Sequence, residues 1–213
     1  MNPIIEIKDL SKRFKGIQIF EEANLHVESG ERLALIGPNG SGKSVLFKLI
    51  LGFLKPNAGE VKIAKEYQSL RGSFPKEFGA IIDRPAFRPD TTGFENLWEL
   101  ASIRRLIGKD EVRAAMLKVG LDPENQAEVR FYSLGMKQKL ALAQAFMEGQ
   151  KVLLLDEPFN GLDKKSAANV RALLLDLSSE GRTLVFTSHN EIDVESLATR
   201  KVEIQNRKIE EVK

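Results

Sequence analysis

Cysteine is missing from this 213-residue chain, which excludes disulfides and thiolate metal sites but leaves the compartment open. An excess of charge of one sign is missing too. Thirty-two Lys and Arg stand against thirty Asp and Glu, for a net charge of +2, so composition argues neither for nor against nucleic-acid or membrane-surface binding; no nucleic-acid partner is among those expected. No apolar run approaches the length of a membrane span. The start, Met1-Asn2-Pro3-Ile4-Ile5-Glu6, lacks the basic-then-apolar layout of a secretory signal. Repeats and low-complexity segments are absent as well. A chain that is 42% hydrophobic and 29% charged has the make-up of an ordinary globular protein, long enough for one domain with or without a subdomain. A cytosolic location is the expectation.

Against these absences one stretch stands out: Gly37-Pro38-Asn39-Gly40-Ser41-Gly42-Lys43-Ser44. It fits G-x-x-x-x-G-K-[ST], a phosphate-binding loop. The unbroken apolar run Leu33-Ala34-Leu35-Ile36 leads into it as a buried parallel strand would. Val45 to Leu51 follows with helical character. The glycines allow backbone N–H groups to turn inward around a phosphate chain, and the helix starting near Gly42 adds its positive end. In that setting Lys43 reaches the β/γ-phosphates and the Ser44 hydroxyl ligates Mg²⁺.

In chain order, Ile4–Lys8 reads as a strand. Phe14 lies in a basic, turn-like stretch, Leu10–Gly16; spacing alone favours an ordinary core phenylalanine over a purine-stacking platform. Ala23–Val27 is a second strand, with His26 on its polar phase. Lys55-Pro56-Asn57-Ala58-Gly59 turns the chain, Glu60–Ala64 is a strand, and Tyr67–Lys76 is loop. Gly79-Ala80-Ile81-Ile82 is a short strand ending at Asp83. A proline-rich loop, Arg84–Gly93, then opens a helical stretch. Leu97, Leu100, Ala101, Arg104 and Leu106-Ile107 fit a first helix, and Asp110 is placed to cap a second through Val119. The span 84–131 is read as a helical insertion in an otherwise α/β chain. Ser133 is placed as N-cap of a strong helix running through Met147. A helix from about Lys164 to Ser179, a buried strand at Thr183–Thr187 and a terminal antiparallel pair within Ala198–Lys213 complete the reading.

Lys151–Leu155 is a further buried strand, ending in Asp156 and Glu157. Ligands of open parallel sheets bind beyond the carboxyl ends of the strands, which puts both acids on the edge of the phosphate loop. An acid there serves Mg²⁺, and its neighbour orients or deprotonates water. His189 ends the next buried strand on the same edge, placed to bind a γ-phosphate oxygen or orient water and the acid; taken without the other motifs it reads as a cap to the next helix.

Taken in order, these motifs resemble the nucleotide-binding subunit of an ATP-binding cassette (ABC) transporter over essentially the whole chain. The resemblance implies a phosphate-loop NTPase core with a mainly parallel sheet and an N-terminal antiparallel β subdomain. It implies one ABC ATPase domain over 1–213, with 1–83 and 132–213 as core and 84–131 as helical subdomain. It makes Phe14 the adenine-stacking aromatic, reversing the reading from spacing, with Ile19 lining the same pocket and Val45 joining the loop residues. Ser133-Leu134-Gly135-Met136 stands where the L-S-G-G-Q signature would be and reaches the ATP of a second cassette. Glu157 becomes the catalytic acid, His189 the switch histidine, and Gly161-Leu162-Asp163 the loop that crosses to the partner. Asp83 replaces the usual glutamine; aspartate can ligate Mg²⁺ with Ser44 and Asp156 but is shorter and charged. The implied cofactors are ATP and Mg²⁺. The implied partners are a second copy or a paralogous cassette and a separate transmembrane subunit contacting the 84–100 region, which puts the chain on the cytoplasmic face of the membrane. The wording Tyr-Ser-Leu-Gly-Met-Lys-Gln resembles exporters of the bacitracin and lantibiotic self-resistance kind. The competing classes fit less well. Translation-type members of the family usually carry two cassettes per chain, and DNA-maintenance relatives need a long coiled coil for which Val45–Tyr132 has no heptads. A regulatory module that hydrolyses poorly is the reading that Asp83 alone motivates.

Overall fold

The structure is a computed structural model and describes residues 3–69, 74–83 and 85–212. The middle of the expected Tyr67–Lys76 loop, the first residue of the Arg84–Gly93 loop, Met1-Asn2 and Lys213 lie outside the described residues.

Two sheets form. The larger has six strands, β3 (Arg32–Ile36), β5 (Phe78–Ile81), β6 (Val152–Leu155), β7 (Thr183–Phe186), β8 (Arg200–Gln205) and β9 (Lys208–Val212), in the spatial order β5-β6-β7-β3-β8-β9. All neighbours are parallel except β8 and β9. Its central strands are short apolar runs because both faces are covered. Leu33, Leu35, Leu154 and Val185 point to one core, with β1 (Ile5–Phe14), β2 (Ile17–Val27) and helix α1 (Lys43–Ile50). Ala34, Leu153, Leu155 and Phe186 point to the other, among the helices α2 (Gly93–Arg104), α3 (Lys109–Lys118), α4 (Leu134–Phe146) and α5 (Lys164–Ser179). A seven-residue helix, α6 (Glu191–Leu197), links β7 to β8. Among the described residues no helix is long and apolar enough to cross a membrane.

The smaller sheet is antiparallel, in the order β2-β1-β4, with β4 at Ala58–Ile63. Here the sequence reading needs correction. Leu10–Phe14 is strand, not turn, and β2 begins at Ile17 rather than Ala23. The β1–β2 register shifts between Ile7 and Leu10, and Asp9 and Glu22 take positive φ of 48° each. Such bulges break the two-residue alternation that marks a strand. The backbone donors they release find side chains: Asp9 N–H donates to Asn24 Oδ1 and Glu22 N–H to Ser11 Oγ.

Two helix boundaries also differ. α2 stops at Arg104, because Arg105 turns left-handed (φ 55°) and leaves Leu106 exposed. α3 starts before Asp110, which lies inside its first turn; the Glu111 carboxylate accepts from the Gly108 N–H and closes that end. At α4 the expected cap forms, with Met136 N–H donating to Ser133 Oγ at 3.1 Å.

Candidate functional site

The carboxyl ends of β3, β5, β6 and β7 emerge side by side, since those strands are parallel and β7 separates β3 from β6. The phosphate loop therefore faces the segments after β5, β6 and β7. They enclose a cavity of about 490 Å³, lined by Ile19, Asn39, Gly40, Gly42, Lys43, Ser44, Val45, Asp83, Asp156, Glu157, Asn160 and His189.

The loop is built for backbone, not side chains. Gly42 sits at φ 112°, and a Cβ there would lie 2.8 Å from Ile19 Cγ2 and 2.9 Å from Phe20 Cζ. Gly37, at φ 142°, would put a Cβ 2.9 Å from the Ile204 carbonyl oxygen. These are conformations and clearances only glycine tolerates. No side chain caps α1, whose N-terminus opens on the loop.

Lys43 is 8% exposed, and its Nζ donates to the carbonyls of Gly37 (2.7 Å) and Pro38 (3.2 Å). Burial pushes its pKa below the usual lysine value, opposed by the nearby Glu157 and Asp156 carboxylates. Ser41 Oγ is buried without a hydrogen-bond partner. A desolvated cation, an orphaned hydroxyl and an uncapped helix start fit a polyanion such as a nucleotide phosphate chain.

From the loop, one hydrogen-bonded chain ties the start of α1 to the ends of β6 and β7. Ser44 Oγ donates to Asp156 Oδ2. Thr187 Oγ1 donates to Asp156 Oδ1 at 2.8 Å and accepts from Glu157 N–H at 2.7 Å. Glu157 takes a left-handed φ of 49°, and its carbonyl accepts from the buried Gln138 Nε2. A non-glycine residue in that region is strained and persists only where its surroundings hold it. Glu157 Oε1 is buried and lacks a hydrogen-bond donor; His189 Nε2 lies 3.3 Å away but outside hydrogen-bonding geometry. Ser44 and Asp156 form a small set of hard oxygen donors, the kind that suits Mg²⁺ when phosphates complete the shell.

Other expected residues are placed differently. Asp83 lines the cavity at φ 58°, but its Oδ2 lies 2.6 Å from Lys48 Nζ. Phe14 is 38% exposed at the β1–β2 hairpin, which overturns the core reading; it lies outside the cavity lining, with Lys12 Nζ 4.8 Å from its ring centre. Ser133, Leu134, Gly135 and Met136 also lie outside that lining. The start of α4 packs instead on the segment after Glu157: a Cβ on Gly135 would lie 2.8 Å from the Gly161 carbonyl oxygen. Leu134 stays 56% exposed. Sequence reasoning missed Thr187 and Asn160. The signal for Thr187 was its place at the end of a buried strand, one residue before Ser188-His189.

Comparison with known proteins agrees with this geometry. Residues 20–160 match the family model described as ABC transporter. An ABC transporter ATP-binding protein of Bacillus subtilis (strain 168), itself uncharacterised, is 37% identical over 97% of this chain and 68% of its own length. A bacitracin transport ATP-binding protein of Enterococcus faecalis is 36% identical over 93% of this chain and 65% of its own. A lantibiotic transport ATP-binding protein of Streptococcus pyogenes is 31% identical, over 92% and 84%. A solved dimeric bacterial ABC transporter cassette superposes with a TM-score of 0.85 at 25% identity, covering 98% of this chain and 99% of that one. A buried phosphate-loop lysine facing a strand-end Asp-Glu pair, on this fold and with these relatives, places the chain in the ABC transporter family as an ATP-binding subunit.

Proposed function

We propose that this chain hydrolyses ATP to drive an ABC transporter whose membrane-spanning part is a separate subunit, with two cassettes closing on the nucleotide. The observation that carries the reading is Lys43, buried in the phosphate loop and lining one cavity with Asp156 and Glu157. Gly37 to Val45 hold the phosphates, and Ile19 with Phe14 holds the base. Glu157 accepts a proton from the attacking water, and His189 orients that carboxylate and the terminal phosphate. Ser44 and Asp156 are the groups to hold Mg²⁺, with Asp83 a third once it leaves Lys48; the ion would offset the phosphate charge.

Ser133 to Met136 serve the ATP of the other cassette, a second copy or a paralogue. The exposure of Ser133 and Leu134 and the absence of all four residues from the lining of the chain's own cavity support this, as does the dimeric form of the cassette structure it resembles. The 84–131 span acts as a helical subdomain on the core formed by 1–83 and 132–213. The membrane subunit meets the 84–100 region, which places the chain on the cytoplasmic face. Phe87, half-buried against the core, keeps part of its ring for that contact. A groove with Leu100, Ile103 and the paired rings of Phe53 and Phe74, 5.5 Å apart, adds further apolar surface. The bacitracin and lantibiotic relatives favour an exporter.

The test is nucleotide binding and phosphate release by the purified chain, with Mg²⁺ and with a chelator. Mg²⁺-dependent turnover supports the reading. Failure to bind ATP removes it, and binding without turnover in the presence of a membrane partner favours a regulatory module.

A further inference from the structure

A second polar network lies behind His189. Asp193, on α6, is 2% exposed, yet both of its carboxylate oxygens are engaged. Oδ1 accepts from Arg171 on α5 at 2.5 Å, and Oδ2 accepts from Ser188 Oγ at 3.0 Å. Ser188 Oγ in turn accepts from Asn190 N–H at 3.1 Å, and Asp193 N–H donates to the Asn190 carbonyl at 3.1 Å. The residues on either side of His189 are thus tied to one buried carboxylate, and that carboxylate to one guanidinium.

The arrangement costs more than it needs to if its purpose is stability alone. Burying an ion pair gains little over an apolar pair of the same shape, while a buried charge without its partner is strongly unfavourable. In some proteins such a pair instead fixes a single defined geometry. His189 itself is half exposed and has no hydrogen bond to hold it on Glu157. Its position comes from the turn, and α6, at seven residues, is too short to fix that turn by helix propensity. α5 begins at Lys164 with Asp163 as its N-cap, directly after the Glu157–Leu162 segment. Arg171 therefore joins the element that follows Glu157 to the turn that carries His189.

We propose that Arg171 is a positioning residue for ATP hydrolysis, acting through Asp193 and Ser188 to hold His189 opposite Glu157. The inference rests on the roles given above to Glu157 and His189, and the experiment separates the two. Turnover and ATP affinity are measured for Arg171→Ala, Ser188→Ala, His189→Ala and the Arg171→Ala/His189→Ala double variant, with Arg171→Lys as the conservative replacement. Arg171→Ala lowers kcat about tenfold with ATP affinity within about twofold, the signature of a misplaced reacting group. Arg171→Lys recovers part of the loss. The double variant is no slower than His189→Ala alone, because Arg171 acts only through the histidine. Ser188→Ala, which strands no charge, lowers kcat in the same direction and decides the matter if Arg171→Ala fails to fold.

Native turnover in Arg171→Ala or Ser188→Ala overturns the inference, as does a double variant whose losses multiply. Native turnover in His189→Ala overturns the role of the histidine instead.

Discussion

The phosphate loop and the start of α4 are both helix N-termini carrying a serine hydroxyl, and they use it in opposite ways. At α1 no side chain caps the helix, and the Ser44 hydroxyl turns away to Asp156. The donors of that helix start are left for a ligand. At α4 the Ser133 hydroxyl accepts from Met136 N–H, and the half-exposed Leu134 beside it faces outward. One helix start leaves its backbone donors open toward the cavity; the other satisfies one of them with its own serine. The contrast is consistent with the proposed ATP site divided between two cassettes.

The largest effect is expected at Glu157. Glu157→Gln keeps ATP binding and lowers phosphate release by about a hundredfold or more, as loss of a general base does. A variant hydrolysing at the native rate would take Glu157 out of that role and leave the assembled site without its chemistry.

Lys43→Ala comes next. Losing a charge-assisted contact to phosphate weakens ATP binding about tenfold to a hundredfold. Equilibrium binding of a fluorescent nucleotide measures it, and unchanged affinity would break the account of the loop.

Ser133→Asp sharpens the other half of the comparison. Aspartate caps a helix about as well as serine, so thermal stability holds. Its negative charge opposes a phosphate arriving from outside, so turnover falls about tenfold by charge repulsion. Undiminished turnover would confine Ser133 to capping.

Asp83→Gln is the smallest. Lys48 loses a partner that is 59% exposed, and exposed ion pairs contribute about 0–1 kcal/mol. The melting temperature moves little, and a fall of several degrees would mean that the pair holds β5 to α1 more firmly than its exposure indicates.

Much of the site was legible because its chemistry is local. Gly37–Ser44, Asp156-Glu157 and His189 each end a short apolar run, and a parallel sheet carries such ends to one edge. The antiparallel sheet was less legible. Its bulges at Asp9 and Glu22 break the alternation on which a strand reading depends, so Leu10–Phe14 looked like a turn and Phe14 like core. The helix limits at Arg105 and Gly108 depend on a left-handed residue and on a carboxylate reaching back, neither of which apolar periodicity records. Arg171 and Asp193 could not be placed from spacing, because neither ends a strand at the site edge and their pairing joins two helices 22 residues apart along the chain.

The central claim is that the site is completed by a second cassette, and the mass of Glu157→Gln in solution tests it most directly. With ATP and Mg²⁺ the variant should run as a dimer by light scattering, and with ADP as a monomer. A variant that binds ATP tightly yet stays monomeric, alone and with its membrane and paralogous partners added, would contradict the account.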